Sequence, residues 1–447
     1  MTDLSRLTAD LIDAALAGGA AAADAIASSG TSLAIEVRDG ALEHAERAEG
    51  LEIGVRVLVG KRQACVSASD MRPETVSEIA ARAVEMARIA PEDPFIGLAD
   101  PAEIATSWDI DALDLADPGD EPSPAELEDA ALASETAALA KDGISKVQSA
   151  TGYFSRSRIH LAASNGISGG FARTSHGLST VAITGEGTGM ERDYYGESRV
   201  YRSDLPSPET VGQIAAERTL ARAGARKPPT GAYPVVYDER VASSLIGHLL
   251  GAANGASVAR GSSWLRDRMG EAVLPSHLSI LEDPHRPRVR SSRPFDGEGL
   301  PTAKRDIVGN GVLTSWTLDL ATARKLGLES TANAVRSPSA PPSPSVGNIA
   351  LTQGDVTRDD LLSDMGTGLL VTSLIGSSIN PTTGDYSRGA SGFWVENGEL
   401  TYPVNECTIA GNLHEMLMSI RPANDARTST SRVVPSLLVE GLTIAGA

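Results

Sequence analysis

The stretch DMGTGLLVTSLIGSSINPTTGDYSRGASGFWVENGELTYPVNECTIAGNL, Asp364–Leu413, decides how this chain is read. Asn397-Gly398 is the turn signal of a two-residue hairpin and joins SGFWVE to ELTYPV. Gly384, Gly389 and Gly392 lie along one strand, where a missing Cβ lets another backbone come close. A strand edge of this kind can hold an extended peptide through main-chain hydrogen bonds, with little preference for side chains. Asp385 and Arg388 have several roles open to them: pairing with each other, meeting the termini of a peptide, or bracing the loop.

His414-Glu415 follows at once. In a metal-binding helix of the His-Glu-x-x-His type, the second histidine stands four residues after the first, and that place is Met418. The spacing carries the chemistry, so this pair is read as part of a surface helix.

Working outward, the strands come in hairpins and not in strand–helix–strand alternation. The fold class is therefore α+β, antiparallel sheets with helices, with an N-terminal helix and strand region and a β-rich C-terminal domain. Leu4, Leu7, Leu11 and Ile12 have helical spacing. Two alternating runs follow, turned at Asp39-Gly40 and at Gly60-Lys61. Pro73 opens a helix to about residue 90, and Ser123-Pro124 opens another to about residue 141. Strand-like runs cover Val147–Phe154, Arg158–Ala163 and Gly170–Thr184, with a turn at Asn165-Gly166. A further helix runs from Pro208 to about residue 223. The proline-rich boundary Lys227–Gly231 separates residues 1–226 from residues 232–447. Residues 91–122, rich in proline and acids, read as a solvated linker or surface excursion. Past the boundary, a strand at Tyr233–Tyr237 leads into a helix from Glu239 to about residue 253. Pro338–Pro344 is too rich in proline for a helix or central strand and reads as a loop. Thr357 caps a short helix to Met365.

The chain has 447 residues, enough for two or three domains. Its net charge of −19 repels phosphate backbones and argues against nucleic-acid binding. The two cysteines, Cys65 and Cys407, make no disulfide framework and suit a reducing compartment. The first residues carry acids and Arg6 within the apolar pattern, unlike a secretory signal. No apolar run reaches the ~18 residues that span a bilayer. A cytoplasmic protein without membrane or nucleic-acid partners is expected.

Familiar catalytic motifs are missing. There is no phosphate-binding loop, no GxSxG elbow and no CxxC. Ser391 stands in GASG without the flanks of a nucleophile. His248, within SSLIGHLLGAANG, sits among Leu, Ile and Gly, the usual surroundings of a core histidine. Its neighbours at ligand spacing include Ser243 and Ser244, poor metal donors.

Several stretches together resemble one family. They are SSLIGHLLGAANGASVARGSS, RPFDGEG, KRDI, ARKLGLESTANA, MGTGLLVT, TTGDYSRGASGFWVENGELTYPV and TIAGNL. The chain is similar to the TldD/PmbA family, once called modulators of DNA gyrase, and within it to the PmbA (TldE) branch. The resemblance implies a peptidase of two chains that degrades or matures unfolded peptides. The TldD branch carries His-Glu-x-x-x-His on the helix after this strand, and a cysteine before the Glu-Asn-Gly turn, to hold a metal. Placed on this sequence, the first His falls at Ser243, the Glu at Ser244, the second His at His248 and the cysteine near Gly389. Five residues turn a helix about 140° beyond a full turn, so such a helix must bulge or end to bring both ligands together. By this resemblance the chain holds no catalytic residue and no metal. A divalent metal, zinc, is expected in a TldD-like partner subunit. Gly384, Asp385, Arg388, Gly389, Gly392 and Asn397 are then candidate residues of a peptide channel. The alternatives are a partner-binding, gyrase-modulator-like protein without proteolysis, or an independent hydrolase. A homodimer is open to the isolated chain.

Overall fold

The computed structural model describes residues 3–446. The first helix, α1 (Leu4–Ala17), is capped by Asp3 and buries Leu4, Leu7, Leu11 and Ile12. Strands β1 (Ala22–Arg38) and β2 (Ala41–Val59) form a long hairpin through Asp39 and Gly40, both at positive φ. β3 (Arg62–Ala68) and α2 (Pro73–Ile89) complete this half. The second half has α3 (Pro124–Leu139), started by a Ser123–Glu126 capping box, then β4 (Ile144–Ala163), β5 (Ser168–Thr184), β6 (Glu191–Arg199) and α4 (Pro208–Ala221). β1 pairs with β4, so both halves share one antiparallel sheet in the order β3-β2-β1-β4-β5-β6. The two runs expected at Val147–Phe154 and Arg158–Ala163 are one strand. Its pairing with β1 and β5 continues through Ser155, Arg156 and Ser157, which no propensity within the run requires.

Strand alternation divides this sheet into two faces. Ala23, Ala25 and Ala27 pack beneath α1 and α2, while Leu33, Ile35 and Val37 pack beneath α3. Asp24 and Ile26 therefore point the other way, toward the C-terminal region. There Ile26 joins a cluster with Phe295. Asp24 Oδ1 accepts from Arg336 Nε at 2.9 Å, and its Oδ2 accepts from Arg56 Nε. The approach is so close that a Cβ on Gly54 would fall 2.1 Å from the Pro338 carbonyl oxygen.

The C-terminal region begins with β7 (Gly231–Tyr237) and α5 (Glu239–Ala252). Short strands β8 (Ile280–Glu282), β9 (Arg305–Gly309) and β10 (Val312–Leu313) follow. Next are β11 (Ala334–Ser337), β12 (Ala340–Pro344), β13 (Ile349–Leu351) and α6 (Arg358–Met365), the last begun by a Thr357 capping box. Then come β14 (Gly368–Ile379), β15 (Asp385–Glu396), β16 (Glu399–Asn412), α7 (Leu413–Met418), β17 (Arg421–Pro422), β18 (Arg432–Val433) and β19 (Leu437–Ala445).

The large C-terminal sheet runs β16-β15-β14-β7-β19-β17, and β16 also pairs with β19. The hydrogen-bonded ring closes and makes the sheet barrel-like. Among the described residues, β7–β14 is the parallel pair of this sheet and its other strand pairings are antiparallel. Val235, Tyr237, Leu369 and Val371 share a core with α5, and Val236, Leu370 and Leu438 share one with α6. Alternation along the strands thus feeds two cores from one sheet.

One expectation needs correction. Pro338–Pro344 is not a loop: β11 and β12 pair as a two-stranded ribbon. Prolines fit because a ribbon edge requires fewer backbone donors. Residues 91–122 lie against both regions as a packed excursion, with Ile96, Ala99, Leu113 and Leu115 buried. Asp114 there bonds Tyr201 and Arg288, and Arg324 Nη2 donates to the Leu98 carbonyl at 2.8 Å.

Candidate functional site

α5 follows β7 after one residue, Asp238, which caps it and accepts from the Arg240 backbone at 3.2 Å. This places Ser243, Ser244 and His248 on one helix beside β14 and β15. Ser244 Oγ donates to the Val241 carbonyl at 2.7 Å, so its hydroxyl serves its own helix. The His248 ring meets Tyr386 edge to face, with centroids 5.7 Å apart. Tyr386 in turn shares a 3.3 Å hydroxyl contact with Tyr237. His248 Nε2 is buried and has no hydrogen-bond partner. Burial lowers the pKa of His248, and the Arg388 charge lowers it further.

The pairing of β14 with β15 decides which side chains share that face. Leu374 is opposite Ala390 and Ile375 is opposite Gly389. Ala390 belongs to the α5 core, with Leu374 packed against it, whereas Ile375 is 76% exposed. A Cβ on Gly389 would lie 2.5 Å from Ile375 Cγ2. Position 389 therefore looks away from His248, and a cysteine there would not converge with the helix. Alternation puts Arg388 on the same face as Tyr386, and this is the charge that His248 feels. Period-two reading of Tyr386, Arg388 and Ala390 carried that information; the match by motif position did not use it.

A divalent metal needs several convergent, electron-rich donors. The residues here are one imidazole, two serine hydroxyls and a nearby guanidinium. Among the described residues no group of three or more His, Cys, Asp or Glu is placed to hold a metal ion. One imidazole and two neutral hydroxyls offer a cation no charge-neutralising donor.

The other candidates are now placed. Asp385 accepts from Thr383 Oγ1 at 2.6 Å and from Asn412 Nδ2 at 3.1 Å, and these bonds lower its pKa. Arg388 Nε donates to the Gly376 carbonyl at 2.8 Å across the strand pair. Both residues brace the turn instead of pairing with each other. Gly384, at φ +78°, closes the loop: its amide donates to the Asn380 carbonyl and its carbonyl accepts from Leu413. Asn397 and Gly398 both have positive φ, as their hairpin turn requires. Gly392 sits where the backbones of β14 and β15 nearly touch. Ser391 Oγ accepts from Arg222 Nη2 at 3.2 Å, and a guanidinium has no lone pair with which to take a proton. His414 lies edge-on to Trp264, with centroids 4.6 Å apart, at the start of α7.

His160, His176, His248 and His414 all have lowered pKa values, with burial the largest cause in each. The unfolded chain therefore takes up protons first as pH falls below 6.5, the ordinary value. Binding protons preferentially in the unfolded state stabilises that state, so this contribution is complete above 6.5 and declines on acidification. Urea unfolding at about pH 7.5 and about pH 5.5 should show the lower midpoint in acid. Substituting His248 by Gln should reduce the difference, and an unchanged difference would remove His248 from this account.

Family models match the chain in three parts. Residues 23–87 match the PmbA/TldA metallopeptidase domain 1, residues 117–223 the central domain and residues 230–446 the C-terminal domain. The chain is 38% identical to Metalloprotease PmbA of Escherichia coli O157:H7 over 95% of its own length and 92% of that protein. It is 34% identical to the Metalloprotease PmbA homolog of Haemophilus influenzae, over 99% and 96%. Among solved structures, a Bacteroides thetaiotaomicron protein described as a candidate modulator of DNA gyrase aligns with TM-score 0.91 and 28% identity, covering 99% of this chain and 98% of that one. TldE from Thermococcus kodakarensis aligns with TM-score 0.85 at 20% identity, covering 98% and 100%, and shares the fold. By these full-length matches, the chain belongs to the PmbA/TldD metallopeptidase family.

Proposed function

We propose that this chain is the non-catalytic subunit of a two-chain metallopeptidase that processes unfolded or extended peptides. One observation carries the reading. On the helix where the metal-holding branch carries its ligands, this chain has Ser243, Ser244 and His248, with Arg388 beside the one imidazole. A cation at that point opposes a second cation, so the local charge works against metal binding. The metal, zinc by the resemblance, belongs to a TldD-like partner in the cytoplasm. The β14–β16 hairpins and the barrel-like sheet supply a rigid wall that shapes the channel to that metal. The relatives named as metalloproteases support the protease-type role.

The test is reconstitution. The chain is purified alone and with a relative that carries His-Glu-x-x-x-His on the helix matching Glu239–Ala252. Bound zinc and cleavage of an unfolded, casein-like substrate are measured. The expected result is cleavage and metal in the complex only. His248→Ala in this chain should leave the metal content of the complex unchanged. Chelator-sensitive cleavage by this chain alone, or loss of metal from the complex carrying His248→Ala, would overturn the reading.

A further inference from the structure

A cavity of about 440 Å³ lies between the N-terminal sheet and the C-terminal region, a size suited to a small ligand or a short peptide segment. It is lined from one side by β1, β4 and β5, and from the other by the segment around Phe295, by β11 and by residues 345–347. Its chemistry contrasts with a chain of net charge −19. Arg158, Arg173, Arg293 and Arg336 line it, and Asp296 is the one carboxylate in the lining. Asp296 is already engaged, accepting from the backbone N–H groups of Glu298, Leu300 and Ala334 at 2.9–3.0 Å.

Arg173 and Arg293 are held in place by neutral carbonyls. Arg173 Nη1 and Nη2 donate to the carbonyls of Arg290 and Ser292, each at 2.6 Å. Arg293 donates to the carbonyls of Ala334 and Ser345 at 3.4 and 3.3 Å. Such bonds orient a guanidinium without neutralising it. Three N–H groups on lining residues remain buried and unmatched: Arg173 Nε, Arg293 Nε and Arg336 Nη2. Buried donors without acceptors are costly, and a bound anion would satisfy them. Burial, and then the charges of Arg293 and Arg290, lower the pKa of Arg173 to about 10. Asp296 offsets part of the Arg293 charge, while no acid acts on Arg173, and the excess positive charge favours an anionic guest.

Ile26, Leu161, Phe171, Phe295 and Val346 give the lining an apolar part, beside the hydroxyls of Ser28, Ser157, Ser291 and Ser345. A second cavity, of about 710 Å³, shares Ser28 and Ser157 with the first and is lined by small polar residues such as Ser29, Thr31 and Ser32. A charged end, an apolar pocket and an adjoining polar groove match the end of a peptide chain. We infer that this cavity binds the C-terminal α-carboxylate of an extended peptide, with Arg173 and Arg293 as the carboxylate clamp and an apolar last side chain packed against the Phe171 and Phe295 rings, which meet edge to face at 6.0 Å. This rests on the peptide-processing reading and adds to it how the chain would hold one end of the substrate.

The test is direct binding, independent of cleavage. Acetyl-Ala-Ala-Phe with a free carboxylate, its C-terminal amide and inorganic phosphate are titrated into the unaltered full chain by calorimetry. The free acid should bind at least about tenfold more tightly than the amide, as loss of charge-assisted bonds implies. Phosphate should bind more weakly than the acid, because it cannot use the apolar pocket. Arg173→Gln and Arg293→Gln should each lower affinity for the acid and leave the weak binding of the amide unchanged. Equal binding of acid and amide, or no binding of either, overturns the inference. Phosphate binding as tightly as the acid overturns the peptide assignment and leaves a simple anion site. Failed cleavage by the reconstituted complex, with the acid still preferred over the amide, would sink the proposed function and spare this site. The comparison of acid with amide needs no variant, so it holds even where a substitution prevents folding.

Discussion

Asp24→Ala is expected to destabilise the protein by about 3–5 kcal/mol, the usual cost of breaking a buried ion pair from one side. Asp24 is 4% exposed and holds two guanidinium groups, Arg56 from β2 and Arg336 from β11. Its removal leaves both buried and uncompensated, and it cuts the charged tie between the N-terminal sheet and the C-terminal ribbon. A nearby acid modifies the outcome. Glu298 is buried beside Arg56 and Asp296, and burial, then the Asp296 charge, push its pKa above the ordinary 4.5. Asp296 accepts three backbone N–H bonds, whereas Glu298 accepts one, from Leu320 at 2.8 Å. Asp296 therefore holds the charge and Glu298 the proton.

The sign for Glu298 follows. Its folded pKa is raised, so its contribution is complete below 4.5 and is lost as pH rises through the folded value. Glu298→Gln alone should stabilise the protein in alkali by removing that loss. In the Asp24→Ala background the roles reverse. The uncompensated Arg56 charge then lowers the pKa of Glu298, its proton is lost to solvent, and the new carboxylate partly replaces Asp24. Glu298→Gln should therefore be destabilising in that background. Urea unfolding of the two single variants and the double variant at about pH 6 and about pH 9 measures this coupling. Additive effects at both pH values would sink the account of a shared charge site.

Gly392→Ala is expected to cost about 3 kcal/mol, at the upper end of the usual penalty for overpacking. A Cβ at that position would lie 1.8 Å from the Leu370 carbonyl oxygen and 3.0 Å from the Thr372 amide nitrogen. These are backbone atoms and cannot rotate aside. The site also falls where the register of β15 shifts against both β14 and β16. The chain can relieve the clash only by parting two strands of the closed ring, which loosens the wall beside α5. A lower unfolding midpoint checks the cost. As a control, Gly376→Ala meets no atom within 4 Å and bears only the strain of its φ of +64°. A Gly392→Ala variant no less stable than this control would show that the strands give way more easily than the packing implies.

Much of the fold was legible in the residues. Asn397-Gly398 and Asp39-Gly40 marked their hairpins because type I′ turns need positive φ at both central positions. Ser123, Thr357 and Pro208 marked helix starts because the first backbone donors of a helix need a side-chain acceptor or no donor at all. The membership of the family was legible too, from motifs spread along most of the chain. Two of those motifs now have a structural role. Arg305, of KRDI, lies 2.8 Å from buried Glu282, and Asn333, of STANA, donates to the same carboxylate at 2.9 Å.

What local chemistry decides could be read from one position and its neighbours: turns, caps, strand faces, and serines where metal ligands would be needed. What depends on distant partners waited for the folded chain. The ring closure joins β16 to β19, which are paired through Thr408 and Ala445. Asp24 meets Arg336, separated by 312 residues. Arg173 and Arg293 come together only because one face of the N-terminal sheet docks on the C-terminal region. Sequence spacing measures distance along a strand or helix, but it does not register which strands close a ring or which buried charges find no counterion. Those were settled by packing across the two regions, where burial turns an unremarkable arginine into an unmet charge.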